Sequence, residues 1–153
     1  MNSARGEHDS PALTRPSTGW LWLSAAWAVA LVSTFAALFL GEVMGMTPCQ
    51  LCWYQRIFMF PLAVILGMAA FGNDRRGAVY ALPLALGGAA VAGYHTALVA
   101  GWVPQWWIPC GAGPSCSDQK LVILGDIQIP WLSLLAFAAI VALLLVYLRK
   151  TRP

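Results

Sequence analysis

The chain has 153 residues, of which 59% are hydrophobic and 10% charged, with a formal net charge of +3. Soluble domains average ~45–50% apolar and ~25% charged residues, so a water-soluble globule is excluded. The few scattered positive charges offer no nucleic-acid surface, and the length bounds the chain at one domain.

Residues 1–18, rich in Ser, Pro and charge, read as a mobile cytoplasmic tail. A cleaved signal peptide is not expected. The first apolar run exceeds the ~7–15 residues of an ordinary signal core, and Glu7 and Asp9 precede it. That run, about 20–40, has no charged residue and is the first predicted membrane span. Thr47-Pro48-Cys49-Gln50 then reads as a helix start, with Thr47 as cap, Pro48 in the first turn and Gln50 completing a T-x-x-Q box. The second span follows over about 53–72 with Arg56 near its beginning, the third over about 78–100 and the fourth over about 130–148. Gly88, Ala89, Ala92 and Gly93 lie at the spacing that lets membrane helices pack closely. The expected fold is all-α, an integral membrane four-helix bundle over 19–149, with a second short cytoplasmic tail at 150–153.

Lys and Arg set the orientation. Arg5, Arg15, Arg75, Arg76, Arg149, Lys150 and Arg152 fall on one face and only Arg56 and Lys120 on the other, seven against two. Both termini are therefore expected in the cytoplasm, with all four cysteines on the outer, oxidising face.

Cys49-Gln50-Leu51-Cys52 is a tight CxxC. A thiol in the first turn of a helix meets unpaired N–H groups that favour the thiolate, the species that attacks disulfides. Cys52 and Arg56 are four residues apart and Cys49 and Arg56 seven, which puts all three on one helical face. The guanidinium can stabilise the Cys52 thiolate or donate to the carbonyl of a lipid-soluble acceptor; otherwise it snorkels to the headgroups. No metal site is expected, because C-x2-C with C-x5-C matches the usual zinc spacing poorly. Trp53 after Cys52 excludes a haem-attachment motif. Structural disulfides remain open, although bridges that close so few residues constrain the unfolded chain little.

The external segment 101–129 begins with Trp102, Trp106 and Trp107, which suit the membrane interface, and continues to Cys110 and Cys116. Gly111, Gly113 and Pro114 between the two cysteines make a loop able to close and open a disulfide. Two dithiol pairs on one side of a membrane can pass two electrons between them. His95, after Tyr94 in the outer half of the third span, suits either hydrogen bonding to an acceptor carbonyl, proton passage or helix–helix bonding. Gln55 is a weaker candidate beside Arg56, and like Glu42, Asp118 and Asp126 it also reads as interfacial structure.

The run Pro48-Cys49-Gln50-Leu51-Cys52-Trp53-Tyr54-Gln55-Arg56 resembles the CxLCxxxR signature of the DsbB family of thiol:quinone oxidoreductases, most closely its shorter BdbC-type branch. Tyr94-His95, the paired-cysteine loop and Ile127-Gln128-Ile129-Pro130-Trp131-Leu132-Ser133-Leu134 agree, and the resemblance covers about 20–148. It implies a bacterial inner-membrane enzyme that reoxidises a DsbA-like thioredoxin-fold partner and passes the electrons to a quinone, ubiquinone or menaquinone. It further implies that the partner attacks Cys110, that Cys116 exchanges with Cys49, and that Cys52 faces the quinone with Arg56, Gln55 and His95 on the cofactor side. One departure is that only five residues separate Cys110 from Cys116, far fewer than in the family's long branch. Two other readings are a vitamin K epoxide reductase-like enzyme, whose CxxC typically comes late in the bundle, and a scaffold with purely structural disulfides.

Overall fold

The computed structural model describes residues 18–104, 120–121 and 127–151. Four helices carry the fold: α1 (Thr18–Leu38), α2 (Gln50–Gly72), α3 (Arg75–Val99) and α4 (Ile129–Lys150). Each is long and apolar enough to cross a membrane. The all-α membrane bundle read from the sequence is the observed fold. Residues Phe39–Val43 prolong α1 as a π-helical turn, so the first span reaches past Leu40 to Val43. Two strands of two residues each, β1 (Lys120–Leu121) and β2 (Ile127–Gln128), pair antiparallel just before α4. The tails at 1–17 and 152–153 lie outside the described residues.

Helix α1 packs on α2 and α4, and α3 packs on the same two, so the helices form a square in which α1 and α3 stand diagonally. A two-residue turn joins α2 to α3. Asn73 takes the left-handed conformation (φ 47°) that Asn tolerates, and the Asp74 carboxylate accepts the Arg76 N–H at 2.9 Å to cap α3. The antiparallel order gathers Arg75, Arg76, Arg149 and Lys150 at one end of the bundle. Cys49, the π turn and the start of α4 lie at the other. There the Thr96 hydroxyl bonds the carbonyls of Ala92 (2.8 Å) and Pro130 (3.3 Å), tying α3 to the head of α4.

Many large apolar side chains lie on the outside of the bundle. Large apolar side chains such as Val32, Phe35, Ile57, Val64, Met68, Phe71 and Leu135 point outward, where a bilayer solvates them. The interior is threaded by a seam of small residues on α3: Ala78, Ala81, Ala85, Gly88 and Ala92. Lipid tails are as apolar as leucine, so helices gain by approaching closely, and small residues permit that. At Gly88 the Phe137 ring of α4 occupies the space where a Cβ would stand. Of the four small residues singled out in the sequence, Gly88 and Ala92 face the core, Ala89 packs beside it, and Gly93 is loosely covered, with Leu134 at 4.0 Å.

This contrast makes a test. Gly88→Ala is expected to cost about 1–3 kcal/mol, the range for overpacking a filled interior. Gly93→Ala, with open space around it, is expected to be near neutral. Thermal unfolding of the two variants in the same detergent compares them directly.

Candidate active site

Pro48 biases Thr47 toward extended backbone, and residues 45–49 all lack helical structure. The chain enters α2 two residues later than the capping-box reading of Thr47 and Gln50 requires. The N-cap is Cys49 itself, with φ −70° and ψ 169°. Its Sγ does what a serine oxygen does at this position, accepting the N–H of Cys52 at 3.4 Å. The Gln50 amide turns forward instead and donates to the Tyr54 hydroxyl at 3.2 Å. Because Cys49 is extended, it does not share the helical face of Cys52 and Arg56, which corrects the periodicity argument.

The cap brings the two sulfurs to 2.9 Å as a free dithiol, yet gives them different surroundings. Cys49 is fully buried, and its Sγ lies 3.9 Å from Nε2 of His95, itself fully buried on α3. The other ring nitrogen, Nδ1, is 3.1 Å from the amide nitrogen of Gln55. With that amide donating, Nδ1 accepts, and a neutral ring carries its proton on Nε2, facing Cys49. The Cys52 thiol hydrogen bond holds the Cys49 thiol well below the ordinary cysteine range. Burial opposes this shift, while His95 and the Cys52 N–H reinforce it.

Cys52 faces the other way, into a cavity of about 180 Å³ between α1, α2 and α4. Cavities of ~150 Å³ accept a benzene-sized ring, so one quinoid ring fits, leaving any tail to lie outside among lipids. The lining is mostly apolar, including Leu40, Met59 and Phe137, with polar groups from Cys52, Gln55, Arg56, Ser33 and Ser133.

The Arg56 guanidinium donates to the Ala37 carbonyl at 2.7 Å and lies 5.4 Å from the centre of the Trp53 ring. A half-buried cation needs such partners near a membrane, and carbonyl and aromatic face supply them here. Gly41, on the π turn, lets the guanidinium approach: a Cβ there would stand 3.2 Å from an Arg56 nitrogen. π-Helical turns recur at functional sites, and here the turn begins two residues after Ala37, whose carbonyl accepts from Arg56.

Five of the seven residues singled out in the sequence, Cys49, Cys52, Gln55, Arg56 and His95, thus meet in one place. His95 touches Cys49 and Gln55 and is not among the residues lining the cavity. Gln55 joins both sides, lining the cavity and holding the imidazole. Cys110 and Cys116 lie outside the described residues, as do Asp118 and Asp126. Ser33, Ser133 and Gly41 were not read from the sequence. Serines inside otherwise apolar spans were an available signal, whereas nothing local marks Gly41.

A dithiol split between a buried imidazole and a ring-sized cavity, at one end of four membrane-length helices, defines a membrane protein built for thiol chemistry. The chain belongs to the DsbB family: the profile described as "Disulfide bond formation protein DsbB" matches residues 18–147. It is 51% identical over 135 residues to a "Probable disulfide formation protein" of Metapseudomonas resinovorans, covering 88% of this chain and 94% of that one. It is 42% identical over 123 residues to "Disulfide bond formation protein C" of Bacillus subtilis (strain 168), covering 79% and 88%. A "Probable disulfide formation protein" of Chlamydia muridarum is 42% identical over 120 residues, covering 78% and 87%. No solved structure matches the chain.

The lowered pKa of Cys49 has a direct consequence. A depressed pKa means the thiolate persists as pH falls, so reduced protein carrying Cys110→Ser and Cys116→Ser should titrate one thiol below the ordinary ~8.5. His95→Ala removes one of the lowering groups and should move that midpoint upward. Ultraviolet thiolate absorbance against pH reads both.

Proposed function

We propose that the chain is a thiol:quinone oxidoreductase of the bacterial cytoplasmic membrane that reoxidises a DsbA-like thioredoxin-fold dithiol oxidase. The observation that carries this reading is the division of the CxxC: Cys52 opens on a ring-sized cavity beside Arg56, while Cys49 is turned away from it. One sulfur is placed for an acceptor and the other for exchange with a second cysteine pair. The names of the relatives support disulfide formation as the outcome, and the positive-charge bias supports cysteines on the outer face.

In this scheme a thiolate of the reduced partner attacks the Cys110 sulfur, and the Cys110–Cys116 bond breaks to give a mixed disulfide with Cys116 released. The partner's second thiol displaces Cys110 and leaves oxidised. Cys116 attacks Cys49 of the Cys49–Cys52 disulfide, and Cys52 departs as a thiolate. Attack by Cys110 on Cys116 then frees Cys49, so the outer pair is oxidised again and the inner pair reduced.

A bound quinone, ubiquinone or menaquinone, supplies the acceptor for two electrons and two protons. Cys52 presents its sulfur to that acceptor, and the Arg56 donors, already fixed by Ala37, favour negative charge in the cavity. Ser33, Ser133 and the Gln55 amide add neutral hydrogen-bonding groups around the ring. His95 Nε2 holds a proton against Cys49 and exchanges it as that sulfur changes between thiolate and disulfide. The net change is one disulfide made in the partner for each quinone reduced.

Purified protein in detergent, given a reduced thioredoxin-like dithiol protein and a soluble quinone, is expected to reduce the quinone. Single Ser replacements at Cys49, Cys52, Cys110 or Cys116 should each abolish turnover. Arg56→Ala should raise KM for quinone about 10–100-fold, the equivalent of a lost hydrogen bond to a charged group worth ~1.5–3 kcal/mol. No reduction with either quinone class, while the disulfides stay closed, would leave a stapled scaffold.

A further inference from the structure

The reduced site has a second property that does not depend on a quinone. Cys49 Sγ, Cys52 Sγ and a ring nitrogen of His95 all lie within 4.8 Å of one another. Two thiolates and an imidazole are a metal-ligand set, and we infer that the dithiol form binds one thiophilic d10 cation of the monovalent copper class.

The geometry suits a three-coordinate ion. With metal–sulfur bonds of ~2.3 Å and a metal–nitrogen bond of ~2.0 Å, a trigonal site needs sulfur–nitrogen separations of about 3.7 Å and a sulfur–sulfur separation of about 4.0 Å. Cys49 Sγ already stands 3.9 Å from His95 Nε2. The sulfurs, at 2.9 Å, must open by about an ångström, which a small side-chain rotation of half-buried Cys52 provides.

The surroundings agree with the donors. A ligating histidine is held by a partner on its other nitrogen, and Gln55 occupies that place at 3.1 Å. A half-turn of its amide presents the oxygen to an Nδ1–H. Met46 and Met59, two soft thioethers, line the cavity through which Cys52 is reached.

Monovalent copper is favoured over zinc on two grounds. Structural zinc takes four ligands, and among the described residues the group holds three. A monovalent ion on two thiolates also leaves one net negative charge, which Arg56, one turn from Cys52 and on the same cavity, balances. As the two metal–sulfur bonds form, whatever protons the two sulfurs still hold leave to solvent, and no electron moves. The disulfide form has no thiolates to offer, so metal and disulfide exclude one another, and the ion withholds the pair from exchange.

The test uses the full chain in detergent with Cys110→Ser and Cys116→Ser, so that only the inner pair is available. Reduced protein is titrated anaerobically with Cu(I) against a coloured Cu(I) chelator, and X-ray absorption counts the ligands. One equivalent bound through two sulfurs and one nitrogen is expected, with none retained after chemical oxidation to the disulfide. Gln55→Leu should weaken binding about 10–100-fold, the usual cost of removing the partner of a ligating histidine. His95→Ala should lose the nitrogen from the spectrum. Since a buried histidine variant can misfold, alkylation of the parent protein gives an independent reading: bound Cu(I) should protect both thiols. Absence of binding by reduced protein, sulfur-only ligation, or a preference for Zn(II) over Cu(I) would overturn the assignment. Quinone reduction is not part of any of these readouts, so this inference and the oxidoreductase reading fail separately.

Discussion

The site depends on one cysteine sulfur taking the place of a capping oxygen. Cys49 closes the N-terminus of α2 by accepting the Cys52 N–H, and this single bond fixes where both sulfurs stand. A cap residue is extended and lies off the helical face, so the two cysteines cannot point the same way. One is delivered to α3 and its histidine, the other to the space between α1, α2 and α4. Sulfur accepts hydrogen bonds weakly, so the cap is also a weak one. In the proposed reaction the pair alternates between dithiol and disulfide, and an anchor that gives way at little cost suits it.

Around this point the bundle solves a problem special to lipid, where polar groups have no water to fall back on. Arg56 finds the Ala37 carbonyl and the Trp53 ring, His95 finds Gln55, and Thr96 finds two carbonyls at the head of α4. These contacts sit at one end of a body whose remaining interior is mostly alanine and leucine, with Phe137, Ile140 and Tyr147 from α4. The small-residue seam of α3 draws the helices close enough for polar side chains on different helices to reach each other. Packing in the middle of the bundle and chemistry at its end are thus joined through helix spacing.

Much of the fold was legible because membrane spans announce themselves by length and apolarity, and the four helices fall where those runs lie. Their ends were less legible. Thr47 and Gln50 match a capping box by type, but the pattern cannot tell that the chain stays non-helical for two residues more, through Cys49. In the site, Cys52 with Arg56 followed from helical spacing, since both belong to the same helix. His95 is different: its partners Cys49 and Gln55 are 46 and 40 residues away in the chain. No local pattern encodes a contact across two helices. Gln55 was underrated for the same reason, and the π turn went unseen because Phe39–Val43 has no distinctive composition.

That π turn carries a consequence for the length of the chain. A π-helical turn holds one residue more than the α-helical turn it replaces, so α1 contains a surplus residue at Phe39–Val43. Its removal would restore ordinary α-helical bonding and swing all that follows by about 100° about the helix axis. Met46 and Pro48 would leave the cavity wall. On the outer face of α1, where Val32 and Phe35 are exposed, substitutions have wide latitude. At this turn the count of residues matters as well as their identity, since Gly41 must also leave room for the Arg56 guanidinium.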